Sequence, residues 1–125
     1  MKDFGEYLMG GPVVQALQFA LDGLTIQQNV QANNIANVST PGFTASRVDF
    51  ASSLQSALAS STSGAPAVAS VAITGSSRLP STNGNNVSMS QELVGIEKST
   101  VWYQSASAEI NNQYHLMRGS AGGSY

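Results

Sequence analysis

Near the C-terminus, apolar and small residues recur so regularly that few folds remain open to the chain. Met89, Leu93, Ile96, Thr100, Tyr103, Ser107, Ile110, Tyr114 and Met117 follow intervals of four and three. That is a heptad seam sustained for about four repeats, and it predicts one helix over 88–118 with a partner-facing edge. Ser88 and Gln91 form an S-x-x-Q capping-box pair at its start. Arg118 suits the negative end of the helix dipole, and Gly119, Gly122 and Gly123 predict the stop. So long a helix has no core of its own and must pack on another.

The candidate partner is a helix over 12–37. Gly11 is a permissible N-cap, and Pro12 fits the first helical position, where its missing N–H costs nothing. Val14, Leu17, Leu21, Leu24, Gln28, Gln31 and Ile35 keep the same spacing, apolar for four positions and then interrupted by two Gln. Phe19, Ile26 and Val30 start a second stripe, so this helix of roughly 38 Å is expected to touch neighbours on two sides. Antiparallel pairing would set Leu17, Leu21 and Leu24 against Ile96, Tyr103 and Ile110, with Leu93 and Tyr114 on the same edge.

The connection between them divides in two. Thr40 precedes Pro41 and is pushed out of the helical region, and Pro41-Gly42 fits the centre of a type II turn. Phe43–Phe50 reads as extended, then as a short helix capped by Asp49 with Phe50, Leu54, Ala57 and Leu58 inward, making 38–58 a turn-and-helix unit. From 59 to 86 the chain is rich in Ser, Ala, Gly, Thr and Asn, which bury too little apolar surface to offset ordering entropy. This stretch is expected to be flexible and to order on assembly, with Val68–Ile73 a short strand if it meets a partner edge. The expected fold is mainly α: one domain, 1–125, built on an antiparallel coiled-coil-like helical hairpin.

Composition narrows the function. Only 10% of the 125 residues are charged, against roughly 25% in typical soluble domains. Between Gly23 and Ser77 the formal charges are Arg47 and Asp49 alone. Little charge repulsion opposes association, so the chain reads as one that packs on other protein. Five Lys plus Arg at net charge −2 are too few to make nucleic acid an expected partner. Without Cys there is no disulfide, thiolate metal site or redox motif. No run reaches the roughly 18 apolar residues of a membrane-spanning helix. The start, Met1-Lys2-Asp3-Phe4-Gly5-Glu6, carries acids where a secretory leader needs bases, so if the protein leaves the cytoplasm, the expected route is one without an ordinary cleaved signal.

No catalytic residue, cofactor, metal or small-molecule substrate is expected. The lone His115 has no acidic residue one turn away to orient it. Glu92 and Glu97 fall on different helix faces, and the C-terminal glycines lack the Lys and Ser/Thr of a phosphate loop. What stands out is Ala32-Asn33-Asn34-Ile35-Ala36-Asn37-Val38-Ser39-Thr40-Pro41-Gly42-Phe43. Asn37 and Pro41-Gly42 read as a helix end. Three Asn in five residues are poor helix formers, however, and Asn33 and Asn37 share a face at i,i+4. Their amides either finish the helix or offer donors and acceptors to neighbouring chains.

This segment resembles the N-terminal signature of bacterial flagellar rod and hook axial proteins. The residues that carry it are Asn33, Asn34, Ile35, Asn37, Thr40, Pro41, Gly42 and Phe43. Arg47-Val48-Asp49-Phe50 resembles the continuation in proximal rod proteins of that family, and Asn83–Glu92 with Tyr103-Gln104 resembles its second half. Asn83 stands where Asp is frequent and Phe43 where Tyr is. The resemblance implies a structural subunit exported through the flagellar type III apparatus to the cell envelope. There it would assemble, with copies of itself, other rod proteins, and rotor membrane-ring and rod-base adaptor proteins, into the hollow drive shaft. Another short rod protein of the same family is the alternative. A secreted WXG-type hairpin also matches in length and low charge, but Trp102-Tyr103-Gln104 lacks the Gly and lies inside the helical pattern.

Overall fold

The computed structural model describes residues 12–62 and 71–122. In chain order these form α1 (Pro12–Ala36), β1 (Ser46–Asp49), α2 (Phe50–Thr62), β2 (Ala72–Gly75) and α3 (Met89–Gly122). The fold is mainly helical, with the two long helices packed on each other, a short middle helix and a small two-stranded sheet.

Side-chain pairs fix the direction of α1 against α3. Gln18 reaches Tyr114, Gln28 reaches Thr100 and Gln31 accepts from Ser99, so one helix descends as the other rises. The interface is apolar at one end and polar at the other. Val14, Leu24 and Ile110 are buried, and Leu17, Leu21, Ile96 and Tyr114 are half-buried. Toward the other end, Gln31 and Ser99 replace the hydrocarbon. The two Gln that interrupt the apolar spacing of α1 therefore bond across the hairpin. Gly95 makes room for one of them, since a Cβ there would collide with the Gln31 amide.

The α3 seam departs from the expected line. Leu93 is 49% exposed and Tyr103 37%, so α1 does not close over either, whereas Glu92 and Ser99 are buried. A straight helix repeats every 3.6 residues, so a strict heptad line drifts off its face by about 20° per seven residues. Gly119 does not stop the helix, which continues to Gly122. Among the described residues only Gly42 and Gly84 take positive φ. Without that left-handed step, a glycine only weakens a helix, by about 1 kcal/mol relative to Ala.

The short elements lie beside α1. Asp49 caps α2 by accepting from the Ser52 N–H at 3.3 Å. Phe50 stacks on Phe19 with centroids 6.5 Å apart, over Gly23, where a Cβ would lie 2.6 Å from the ring. Ala57 is buried as expected for the inner face, but Leu58 is 42% exposed.

Of the expected strand, residues 68–70 lie outside the described residues. The strand observed is Ala72–Gly75, antiparallel to β1 with Ser46 opposite Gly75 and Asp49 opposite Ala72. Residues 71–86, expected to order only on assembly, are tied down within one chain: the ladder continues through Ser76 N–H to Ala45 C=O at 2.7 Å. The polar side chains of this stretch bury little hydrocarbon, and backbone and amide hydrogen bonds do the ordering instead.

A core this small makes single buried side chains matter. Leu24→Ala is expected to cost about 2–5 kcal/mol by deletion of buried hydrocarbon plus a cavity. Val101→Ala, on the exposed face, should stay within about 0.5 kcal/mol. Urea unfolding of both variants checks the contrast, and equal losses would contradict the assigned core.

Candidate functional site

The Asn-rich segment ends α1 and starts a dense set of hydrogen bonds. Asn37 N–H reaches the carbonyls of Asn33 and Asn34 at 3.2 and 3.1 Å, and Val38 N–H that of Ile35 at 3.1 Å. The Asn37 amide donates to Asn33 C=O at 2.9 Å and to Asn33 Oδ1 at 2.7 Å. Its Oδ1 accepts from the Thr40 hydroxyl at 3.2 Å. Of the two roles open to Asn33 and Asn37, the single chain displays the local one, finishing the helix.

The turn that follows closes with Phe43 N–H on Thr40 C=O at 3.3 Å and Gly42 at φ +72°. Pro41 presets φ and Gly42 supplies the left-handed step of a type II turn. The Phe43 side chain is half-buried, while Pro41 is exposed.

The deeply buried amide is Asn34, 1% exposed. Its Nδ2 donates to Ser46 C=O at 2.7 Å and its Oδ1 accepts from Ser46 N–H at 2.9 Å. The side chain thus pairs with backbone as a strand would, and fixes the first residue of β1 against α1. Its neighbour Ile35 is half-buried.

A second Asn-rich run, Asn83-Gly84-Asn85-Asn86, meets the first from the other side. Gly42 N–H bonds Asn83 C=O at 2.9 Å and Asn86 N–H bonds Phe43 C=O at 3.2 Å. Asn85, 3% exposed, donates to the carbonyls of Asn37 and Thr40, both at 2.8 Å, and accepts from Val87 N–H at 2.7 Å. Asn86 accepts from Ala45 N–H at 2.6 Å and donates to Ser76 and Arg78 carbonyls, both at 3.2 Å. Gly84, at φ +81°, lies so close that a Cβ would sit 3.2 Å from Gly42 Cα. The end of α1, the start of the sheet and the entry to α3 become one braced corner.

Arg78 extends the brace. It donates to Ser76 Oγ at 3.1 Å, Gln91 Oε1 at 2.8 Å and Glu92 at 2.6 Å. Gln91 therefore serves Arg78 instead of the expected capping box with Ser88, whose hydroxyl lies 3.4 Å from that of Ser90. Asn85, Asn86 and Arg78 were not among the candidate residues from sequence; the repeated Asn pairs at 33–34 and 85–86 were the available signal.

The Asn34, Asn85 and Asn86 amides of this corner are committed to backbone, and among the described residues no group of three or more His, Cys, Asp or Glu could hold a metal ion. Nor is any described helix long and apolar enough to cross a membrane. The bonds of the corner satisfy buried backbone and tie its segments to one another.

Residues 15–44 match the model of the family described as flagella basal body rod protein. The first half of the braced corner is similar to that rod family. The match spans most of α1 and the turn through Thr44, which includes every signature residue from Asn33 to Phe43. The match thus covers about a quarter of the 125 residues and marks a similarity to flagellar basal-body rod proteins. No curated protein matches the chain.

Stability should separate the two buried amides, Asn34 and Asn85, from the exposed one, Asn33. Asn34→Ala and Asn85→Ala each strand backbone groups and are expected to lose about 1–3 kcal/mol per group left unpaired. Asn33→Ala, at an exposed position, should stay within about 0.5 kcal/mol. Chemical denaturation of the three variants measures this. Equal, small effects would show that the bonds at Ser46 and Thr40 contribute nothing.

Proposed function

We propose that the chain is a FlgB-like subunit of the proximal rod, exported through the flagellar type III apparatus and assembled into the hollow shaft that transmits torque. The observation that carries this reading is the rod-family match over 15–44 on a segment whose amides brace a corner between two long helices. Torque loads every subunit laterally, and a corner closed by many short bonds resists bending better than a flexible loop. The continuation Arg47-Val48-Asp49-Phe50 favours a FlgB-like over a FlgC-like subunit.

In this reading Asn33, Asn34, Ile35, Asn37, Thr40, Pro41, Gly42 and Phe43 act in assembly by holding the corner in one shape. Leu17, Leu21, Leu24, Ile96, Ile110 and Tyr114 hold the hairpin, while Leu93 and Tyr103 are left to neighbouring subunits. The partners would be further copies, other rod proteins, and the rotor-ring and rod-base proteins.

The test is electron microscopy of basal bodies purified from cells that carry a tagged copy. Label at the base of the rod is expected, and label confined to the hook, or none, overturns the reading. Gly84→Ala should impair assembly as well, because it forces a left-handed φ on a Cβ, a strain of about 1–3 kcal/mol, and presses on Gly42. Motility in soft agar, with secretion measured alongside, reads the effect. Normal swimming would show that the corner tolerates movement.

A further inference from the structure

Beside the hairpin lies an open apolar groove of about 340 Å³ between α1 and α2, lined by Val13, Ala16, Leu17, Ala20, Leu54 and Leu58. Val13 is 55% exposed and Leu58 42%, and no lining residue carries a charge. Phe50, at the start of α2, stacks on Phe19 and lies over Gly23. From there α2 runs back along α1, so Leu54 stands toward Ala20 and Leu58 toward Val13. The groove therefore begins beside the first turn of α1, where the chain enters that helix.

We propose that this groove is the seat of the segment Phe4–Leu8 of the same chain. The segment lies outside the described residues, and its sequence, within Met1-Lys2-Asp3-Phe4-Gly5-Glu6-Tyr7-Leu8-Met9-Gly10-Gly11, suits the groove. Phe4, Tyr7 and Leu8 are spaced i, i+3, i+4, which gathers three large apolar side chains on one face of a helical turn. Lys2 and Glu6, four apart, fall on the opposite face, so both charges stay in water when the apolar face is covered. A stretch this short is not a stable helix by itself and takes its order from an apolar surface. The uncharged groove accepts the apolar face without desolvating an ion.

The chain reaches it without strain. Gly10 and Gly11 precede α1, and two residues without Cβ let the backbone reverse there. From Gly10 back to Phe4, six residues cover about 9 Å as a helix and about 20 Å extended. Val13 to Ala20 is about 10.5 Å along α1, so Phe4 comes level with the far end of the groove and Leu8 lies near its entrance. The tether also removes the need for a large interface, because it holds the segment at high effective concentration beside its seat. A few side chains then suffice, where a separate molecule would need roughly 1,200–2,000 Å² for a stable contact. The contact goes beyond the rod reading and does not rest on it.

Because the chain has no Cys, a single introduced thiol reports on one position. The full chain is made with Ala20→Cys, in the groove, or with Gln18→Cys, at the same height on the opposite side of α1. Each is also made with Phe4→Asp and Leu8→Asp added, and thermal unfolding confirms that all four variants fold. The rate of reaction with a soluble aromatic disulfide is the readout. The two Asp substitutions should speed the thiol at position 20 about tenfold, the factor that corresponds to about 1.4 kcal/mol, and leave position 18 unchanged. Protection of position 20 should also persist on dilution, since the occupant is tethered. An unchanged rate at position 20 would overturn the proposal, and equal acceleration at both positions, the mark of general loosening, would do so too. Protection lost on dilution would give the groove to a separate molecule and overturn it as well. Label in basal bodies, present or absent, bears on none of these outcomes, so the rod reading and this contact fail separately.

Discussion

Buried backbone must find hydrogen-bond partners, and in this chain side-chain amides supply them. Where α1 ends, the chain has to turn, start a strand and later return to begin α3, all in one place. Those segments bury carbonyls and N–H groups that no regular ladder reaches. Asn34, Asn85 and Asn86 answer with side chains that have both donor and acceptor. Asn34 takes both groups of Ser46, Asn85 the carbonyls of Asn37 and Thr40, and Asn86 the backbone of Ala45, Ser76 and Arg78. Asp in the same places would lose the donors and face the carbonyls with negative charge. Ser would be too short to bridge two segments.

That arrangement explains why a chain so poor in charge and aromatics still has a defined shape. Hydrocarbon holds one end of the hairpin, through Val14, Leu24 and Ile110, while Phe19 packs on Phe50 of α2. The other end rests on amides, on the long cross-helix contacts of Gln28 and Gln31, and on the Arg78–Glu92 ion pair. Glu92, in the first turn of α3, also meets the favourable end of the helix dipole. Apolar side chains not needed inside remain outside: Val94, Val101 and Trp102 are each half or more exposed. A monomer that hides so little of its apolar surface is suited to being buried by others.

Periodicity made the long helices legible, and their pairing followed from the lack of any other partner. Pro41-Gly42 announced its turn and Asp49 its cap, because these depend on a few neighbouring residues. What periodicity could not show is rotation about the helix axis. Whether Leu93 or Glu92 faces α1 depends on an offset of one residue, and Arg78, fourteen positions earlier in the chain, draws Glu92 inward. The brace was half legible. The Asn-rich segment is conspicuous, but helical spacing singles out Asn33 and Asn37, which share a face, while the buried amide of the segment is Asn34. A helical wheel cannot show that a strand returns to Asn34 after twelve residues. Nor does composition distinguish a Ser- and Asn-rich loop that floats from one whose amides find backbone.

The two glycines with positive φ carry this logic to its end. Gly42 and Gly84 lie back to back, one in each Asn-rich segment. Each turns the chain so that the amides beside it face the other segment, and each lacks the Cβ that would hold the backbones apart. The 42–83 and 43–86 backbone bonds require that approach. If the two backbones stood farther apart, Asn85 would no longer reach Asn37 and Thr40. The matched segment at 15–44 thus contains only half of a site. Its other half arrives from the residues before α3, and the geometry of the signature depends on both.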